Sequence, residues 1–270
     1  MSDNAESSNT ISPHRNTLLD AIAVRTSVRT YSDEEIPLEL DRQLRSTINA
    51  VNTLSGLSIQ FVTDDPATFA EANASGHFTN ARNYFAAVGA KDDPEAQERA
   101  GFYLERLVLT ATMRGLSTVW VGGSWDKESA AKHLRIRSSE ELIVGAVVGY
   151  SADHVEDLPL SERAAAAAGH RPSLTYGDLV TVSGDPNAVP DWFRSGIDAV
   201  IKAPSARNGQ PVRFTFDTLT NRLRAHIEGE HTPMAFVDLG IAKLHFQLGA
   251  GGGTWAWGDD ARYARDESID

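Results

Sequence analysis

The sequence predicts an α+β fold in which two fused half-domains form a pseudo-dimer. Three observations predict it. Ile36 to Phe61 (IPLELDRQLRSTINAVNTLSGLSIQF) aligns without a gap on Val189 to Phe214 (VPDWFRSGIDAVIKAPSARNGQPVRF), placing Pro37 on Pro190, Ile48 on Ile201, Ala50 on Ala203, Gly56 on Gly209 and Phe61 on Phe214. Each copy is followed by a long apolar helix pattern, Gly101 to Trp120 in the first and Ala235 to Trp255 in the second. Strand candidates at Ser58–Thr63, Tyr84–Gly89, Ile143–Val148 and Val212–Phe216 are interleaved with helices in a mixed order.

Taken along the chain, residues 1–15 are polar and acidic and read as a disordered tail. Residues 16–182 form the N-terminal half, and 183–270 a shorter C-terminal half. In the repeat, Leu40, Leu44 and Ile48 recur as Phe193, Ile197 and Ile201, an i, i+4, i+8 spacing that puts each set on one helix face. Both copies read as extended segment, Pro at a helix start, helix, loop and strand. Leu107, Val108, Leu109, Ala111 and Met113 make the next helix apolar on every side, as in a buried helix. Ser161 to Gly169 (SERAAAAAG) suits a short helix, and the turn formers of Ser183 to Asp191 (SGDPNAVPD) mark the boundary between halves.

The formal charge of -12 gives no basic footprint for nucleic acid or anionic lipid, and no stretch approaches the roughly 18 apolar residues of a membrane span, so neither partner is expected. The location expected is cytoplasmic. With no cysteine there is no disulfide, thiolate nucleophile or iron–sulfur cluster. The eight histidines contain no metal-binding spacing, so no metal site is expected.

Two segments could hold a ligand. In VRTSVRTY, Val24 to Tyr31, the side chains of Arg25, Ser27 and Arg29 share one side of an extended stretch and could converge on a phosphate. At the repeat's offset the second half has Asp178, Val180 and Val182 there, which cannot bind one. Conversely, APSARNGQP, Ala203 to Pro211, offers Ser205, Asn208 and Gln210 between prolines, whereas its counterpart Ala50 to Ser58 keeps only the Gly. Each half keeps what the other lacks. A composite site from both halves is therefore expected, with an empty twin joining Asp178, Val180 and Val182 to Val51, Asn52 and Ser55. The bland alternatives are a solvated Arg/Ser face and a loop merely shaped by Pro and Gly.

With RTSVR, APSARNGQPV, ERLVLTATMRGLSTVW (Glu105 to Trp120), VGAVVGY and HRPSL quoted, the sequence resembles the flavin-dependent nitroreductases over Leu18 to Trp257, specifically an internally duplicated, single-chain branch. The resemblance implies the nitroreductase fold and an FMN cofactor. It assigns Arg25 and Ser27 to the phosphate and ribityl chain, Arg29 to the pyrimidine edge and Arg171 to the phosphate. Pro204, Ser205, Ala206 and Asn208 would line the flavin from the second half, and Val121, Gly122 and Gly123 would bring backbone near flavin N5. Val212 stands where the family often has Trp, which leaves the outer pocket wall open. NADH or NADPH would be the electron donor and a nitroaromatic, quinone or related small molecule the acceptor, by a ping-pong mechanism, with no catalytic side chain beyond the flavin. The assembly implied is a monomeric pseudo-dimer. The alternatives are a flavin enzyme with another acceptor, such as a dehalogenase, flavin reductase or ene reductase, and an FMN-binding or degenerate protein without turnover.

Overall fold

The computed structural model describes residues 17–169 and 174–265. The chain runs through α1 (Leu18–Val24), α2 (Leu38–Ser55), β1 (Ser58–Val62), α3 (Ala70–Ala74), β2 (Tyr84–Ala90), α4 (Pro94–Met113), β3 (Ser117–Val121), α5 (Lys127–Ala131), β4 (Glu140–Gly149) and α6 (Leu160–Gly169). It continues through α7 (Tyr176–Leu179), β5 (Val180–Ser183), α8 (Asp191–Val200), β6 (Val212–Asp217), β7 (Arg222–Ile227), α9 (Pro233–Gly249), β8 (Thr254–Trp255) and β9 (Ala261–Ala264). The expected tail lies outside the described residues.

The aligned prolines do the same job twice. Pro37 is the N-cap residue of α2 and Pro190 that of α8. The two helices nevertheless differ in length, because Pro204 follows α8 where α2 continues to Ser55 and stops at Gly56, in the left-handed region at φ 69°.

The four expected strands are present as β1, β2, β4 and β6. The expectation missed β3, β5, β7, β8 and β9. The apolar segment Gly101 to Trp120 is the end of α4 followed by most of β3, and not one helix. β7 carries Arg222, Arg224 and His226 on its outer side, and β8 has only two residues, so neither shows an apolar run.

The sheets are ordered β1-β2-β4-β3 and β5-β6-β7-β9-β8. Without β5 the second repeats the first, strand for strand, and all of these pairings are antiparallel. β5 spans the expected 182/183 division and joins the second sheet, parallel to β6.

The first sheet is covered on both faces, by α2 and α4 on one side and by the segment around α3 and α5, with Phe69, Phe78 and Trp125, on the other. Its inner strands β2 and β4 are accordingly almost continuously buried and apolar. β6 and β7 alternate buried and half-buried residues, as in a sheet with one face against a core.

Between the sheets, α4 packs along α9. A Cβ at Gly101 would fall 1.9 Å from the Val237 carbonyl oxygen, and one at Gly240 1.9 Å from that of Glu98. Each helix thus meets its partner through a glycine, three residues after the point where the other's glycine meets it. Both helices also open alike, with Asp93 before Pro94 and Thr232 before Pro233 as side-chain caps. Among the described residues no helix is long and apolar enough to cross a membrane.

Candidate functional site

A capping box sets the first wall of the site. The Thr17 hydroxyl accepts from Asp20 N–H, and the Asp20 carboxylate accepts from Thr17 N–H, which starts α1. The helix ends at Arg25, whose backbone turns extended. The following stretch is pinned by Val28 N–H donating to Thr118 O at 3.0 Å and by Thr79 N–H donating to Arg29 O at 2.9 Å.

The second wall is the loop after α8. Ala206 N–H donates to the Asp238 carboxylate at 2.9 Å, and Gln210 N–H to the Ser205 hydroxyl at 3.0 Å. Gly209 has φ -72°, whereas Arg207 (53°), Asn208 (57°) and Gln210 (45°) occupy the left-handed region. Three non-glycine residues so placed in one short loop are a local strain of the kind that collects at ligand sites.

The walls enclose a cleft of about 630 Å³ lined by Arg25, Thr26, Ser27, Arg29, Ala167, Lys202, Ala203, Pro204, Ser205, Arg207 and Asn208. The two sequence segments therefore meet across the boundary between the halves. Among the described residues four cations line the cleft and no carboxylate does, in a chain of formal charge -12. Ala206 lies within the loop, held by Asp238. Val121, Gly122 and Gly123, at the end of β3, are not among the lining residues; Gly122 faces the Met234 sulfur instead. Arg171 lies outside the described residues.

Arg25 is 8% exposed, and its Nε and Nη1 have no hydrogen-bond partner. Burial lowers its pKa, opposed by the charge of Glu105, whose Oε1 lies 3.9 Å from Nε. Glu105 is fully buried; it accepts from Trp120 Nε1 at 2.8 Å and faces His245 Nε2 at 2.9 Å, while His245 Nδ1 faces the Ala199 carbonyl at 3.0 Å. Arg25 Nε and Nη1 are thus buried beside the cleft with their N–H groups unused, and an anionic ligand would use them.

The expected twin does not form. The Asp178 carboxylate is taken up in the capping box of α7, which holds its pKa below the usual value. Val180 and Val182 are residues of β5 and pack on the core of the second sheet. Val51 belongs to the core of the first sheet, Asn52 binds Ile59, and the Ser55 hydroxyl accepts from Leu57 N–H. The two sets lie in different cores because β5 pairs with β6 and not with β1.

Sequence reading also missed Lys202 and Arg207 in the cleft, although both sit in or beside the loop it singled out. Asp238, Glu105 and His245 carried no local signal. Their partners come from other elements.

The family described as "Putative TM nitroreductase" matches residues 17–250. The chain belongs to this family. A protein of Thermotoga maritima described as a putative nitroreductase has the same fold, with TM-score 0.61 and 18% identity over 96% of this chain and 97% of that one. An FMN-dependent nitroreductase of Clostridium difficile is 17% identical over 50% of this chain and 87% of its own, with TM-score 0.41. A Desulfovibrio desulfuricans protein described as a putative nitroreductase in complex with FMN is 22% identical over 54% and 94%, with TM-score 0.40. No curated protein matches. The fold is thus α+β and nitroreductase-like.

Proposed function

We propose that the protein is an FMN-dependent oxidoreductase that transfers electrons from NADH or NADPH to nitroaromatic, quinone or related small acceptors by a ping-pong mechanism. The observation that carries this reading is the composite cleft: Arg25, Ser27 and Arg29 from one half line it together with Pro204, Ser205 and Asn208 from the other, with cations and, among the described residues, no carboxylate. Its volume suits a flavin-sized ligand, and the unused N–H groups of Arg25 suit a phosphate. When bound, FMN supplies the redox chemistry by taking two electrons from the donor and passing them to the acceptor.

The chain's own residues hold and orient it. Arg25 and Ser27 bind the phosphate and ribityl end, with Arg171 as a further phosphate ligand. Arg29 lies toward the pyrimidine edge, where a cation favours the anionic reduced ring. Pro204, Ser205, Ala206 and Asn208 form the second wall, and the turn Val121, Gly122, Gly123 offers small residues and backbone toward the ring's reactive face. The reaction takes place in the cytoplasm, on a small-molecule acceptor.

We also propose that the halves, 16–182 and 183–270, arose by duplication and act as a pseudo-dimer. The repeated strand order and the reciprocal glycine contacts of α4 and α9 support this. The interface that a two-chain relative would bury between subunits is then internal, and the protein is a monomer with one FMN per chain.

Titration of apoprotein with FMN is expected to saturate at one per chain, on a species that light scattering sizes as a monomer. The yellow complex should bleach with NADH or NADPH. Arg25→Ala removes a charge-assisted contact of roughly 1.5–3 kcal/mol, about ten- to a hundredfold in affinity. Asn208→Ala should weaken the same site. Saturation at two FMN per chain, or unchanged affinity in Asn208→Ala, would refute the composite site.

A further inference from the structure

A second, smaller pocket lies behind Arg25. It has a volume of about 140 Å³, and Arg25 and Thr26 belong both to its wall and to that of the cleft. The rest of the wall includes Thr118 on β3 and Arg163 on α6.

Three facts distinguish it from an ordinary packing gap. Among the described residues two arginines line it and no carboxylate residue does. The Thr118 hydroxyl, on a residue 1% exposed, has no hydrogen-bond partner, and neither do Arg25 Nε and Nη1. Burial lowers the pKa of Arg163, with Glu156 as the opposing charge. The Glu156 carboxylate is itself engaged by Ser151 N–H at 2.8 Å, the Ser151 hydroxyl at 2.6 Å and the Ser117 hydroxyl at 3.3 Å. Unpaired donors of this kind are costly when buried, and an anion in the pocket would satisfy them. At about 30 Å³ per water, the pocket has room for several waters or one tetrahedral oxyanion.

We infer that this inner pocket is an anion site in which a phosphate group is held between Arg25 and Arg163, with the Thr118 hydroxyl as a third donor. Resting on the flavin reading, the inference places the FMN phosphate in this inner pocket, reached from the cleft past Arg25, and makes Arg163 a binding residue that neither the sequence motifs nor the cleft indicated. The ring and ribityl chain remain in the cleft, against Ser27, Ser205 and Asn208. Thr26, common to both walls, marks the passage between them.

The test compares FMN with riboflavin, which lacks the phosphate, on apoprotein. Wild type should bind FMN at least tenfold more tightly than riboflavin. Arg163→Gln, a change on a half-exposed helix position that circular dichroism can check for folding, should weaken FMN by about ten- to a hundredfold and leave riboflavin unchanged. Thr118→Val should weaken FMN severalfold, again without affecting riboflavin. Equal losses for both flavins, or no loss for either, would overturn the inner pocket while leaving flavin binding intact. Failure of wild type to bind either flavin would instead refute the flavin reading. In that event inorganic phosphate decides the pocket: raised thermal stability in wild type but not in Arg163→Gln supports the anion site, and no difference between them overturns it.

Discussion

Asp238 shows what a single buried carboxyl contributes. It sits on α9 at 5% exposure, accepts Ala206 N–H, and has its pKa raised to about 7, first by burial and only partly offset by that hydrogen bond. Because the folded value lies above the ordinary aspartate value, the folded state binds this proton more tightly than the unfolded state. Its contribution is therefore fully present below about pH 4 and is lost as pH rises to about 7, at up to roughly 1.4 kcal/mol per unit. Asp238→Asn keeps an acceptor for Ala206 without the charge. Urea unfolding between pH 5 and 8 should show stability falling toward pH 7 in wild type and a shallower fall in the variant. An identical slope in both would remove Asp238 as the cause. Nothing near Asp238 in the sequence announces this role, because Ala206 is 32 residues away. Arg25, Ser27 and Arg29 were legible since alternation in an extended stretch is a local property.

At the scale of elements, the two sheets differ at one edge. β6 is covered by β5, whereas its counterpart β1 pairs on one side only, with β2. Helix α2 supplies what a further strand would: the Asn52 side chain donates to Ile59 O and accepts from Ile59 N–H, both at 2.8 Å, and Arg45 donates to Phe61 O at 2.9 Å. The Asn52 carboxamide thus imitates a neighbouring peptide and blocks the edge against pairing with another chain. Asn52→Ala should leave the FMN site untouched and cost about 2 kcal/mol by stranding the polar groups of Ile59, with increased self-association on heating. Denaturant melts and static light scattering check both; unchanged stability would mean that water replaces the side chain.

The elements that the sequence revealed are those whose burial is repetitive, namely α2, α4, α8, α9, β1, β2, β4 and β6. The second sheet was harder to read because only one of its faces is packed, so Arg222, Arg224 and His226 of β7 interrupt the apolar pattern. β5 could not be assigned to the second sheet from the sequence at all. Its partner is set by tertiary pairing and not by its own composition.

For the molecule as a whole, the crossing of α4 and α9 is decisive. Backbone lies where Cβ atoms would be at both Gly101 and Gly240, so no side-chain rearrangement can relieve an added methyl. Gly240→Ala should cost at least about 3 kcal/mol and weaken FMN binding at the same time, since Glu105 of α4 lies beside Arg25 and Asp238 of α9 holds Ala206. A thermal melt and a flavin titration on the variant measure the two effects; a stable protein with normal affinity would show that the crossing can slide. The same interface holds two buried acid–base pairs, Glu98 with Lys243 and Glu105 with His245.

In both pairs the acid is on α4 and the base on α9, an arrangement that no symmetric dimer could adopt, since each subunit would have to present both. The two faces are complementary instead of identical, like a plug and a socket. Severed between Leu179 and Val180, so that β5 stays with β6, and produced together, the fragments should recognise each other and reject their own kind, because an α4–α4 pair would bury four glutamates without a counter-charge. Differently tagged fragments would reveal this on co-purification: mixed pairs only, against a statistical mixture if the charges played no part in the choice.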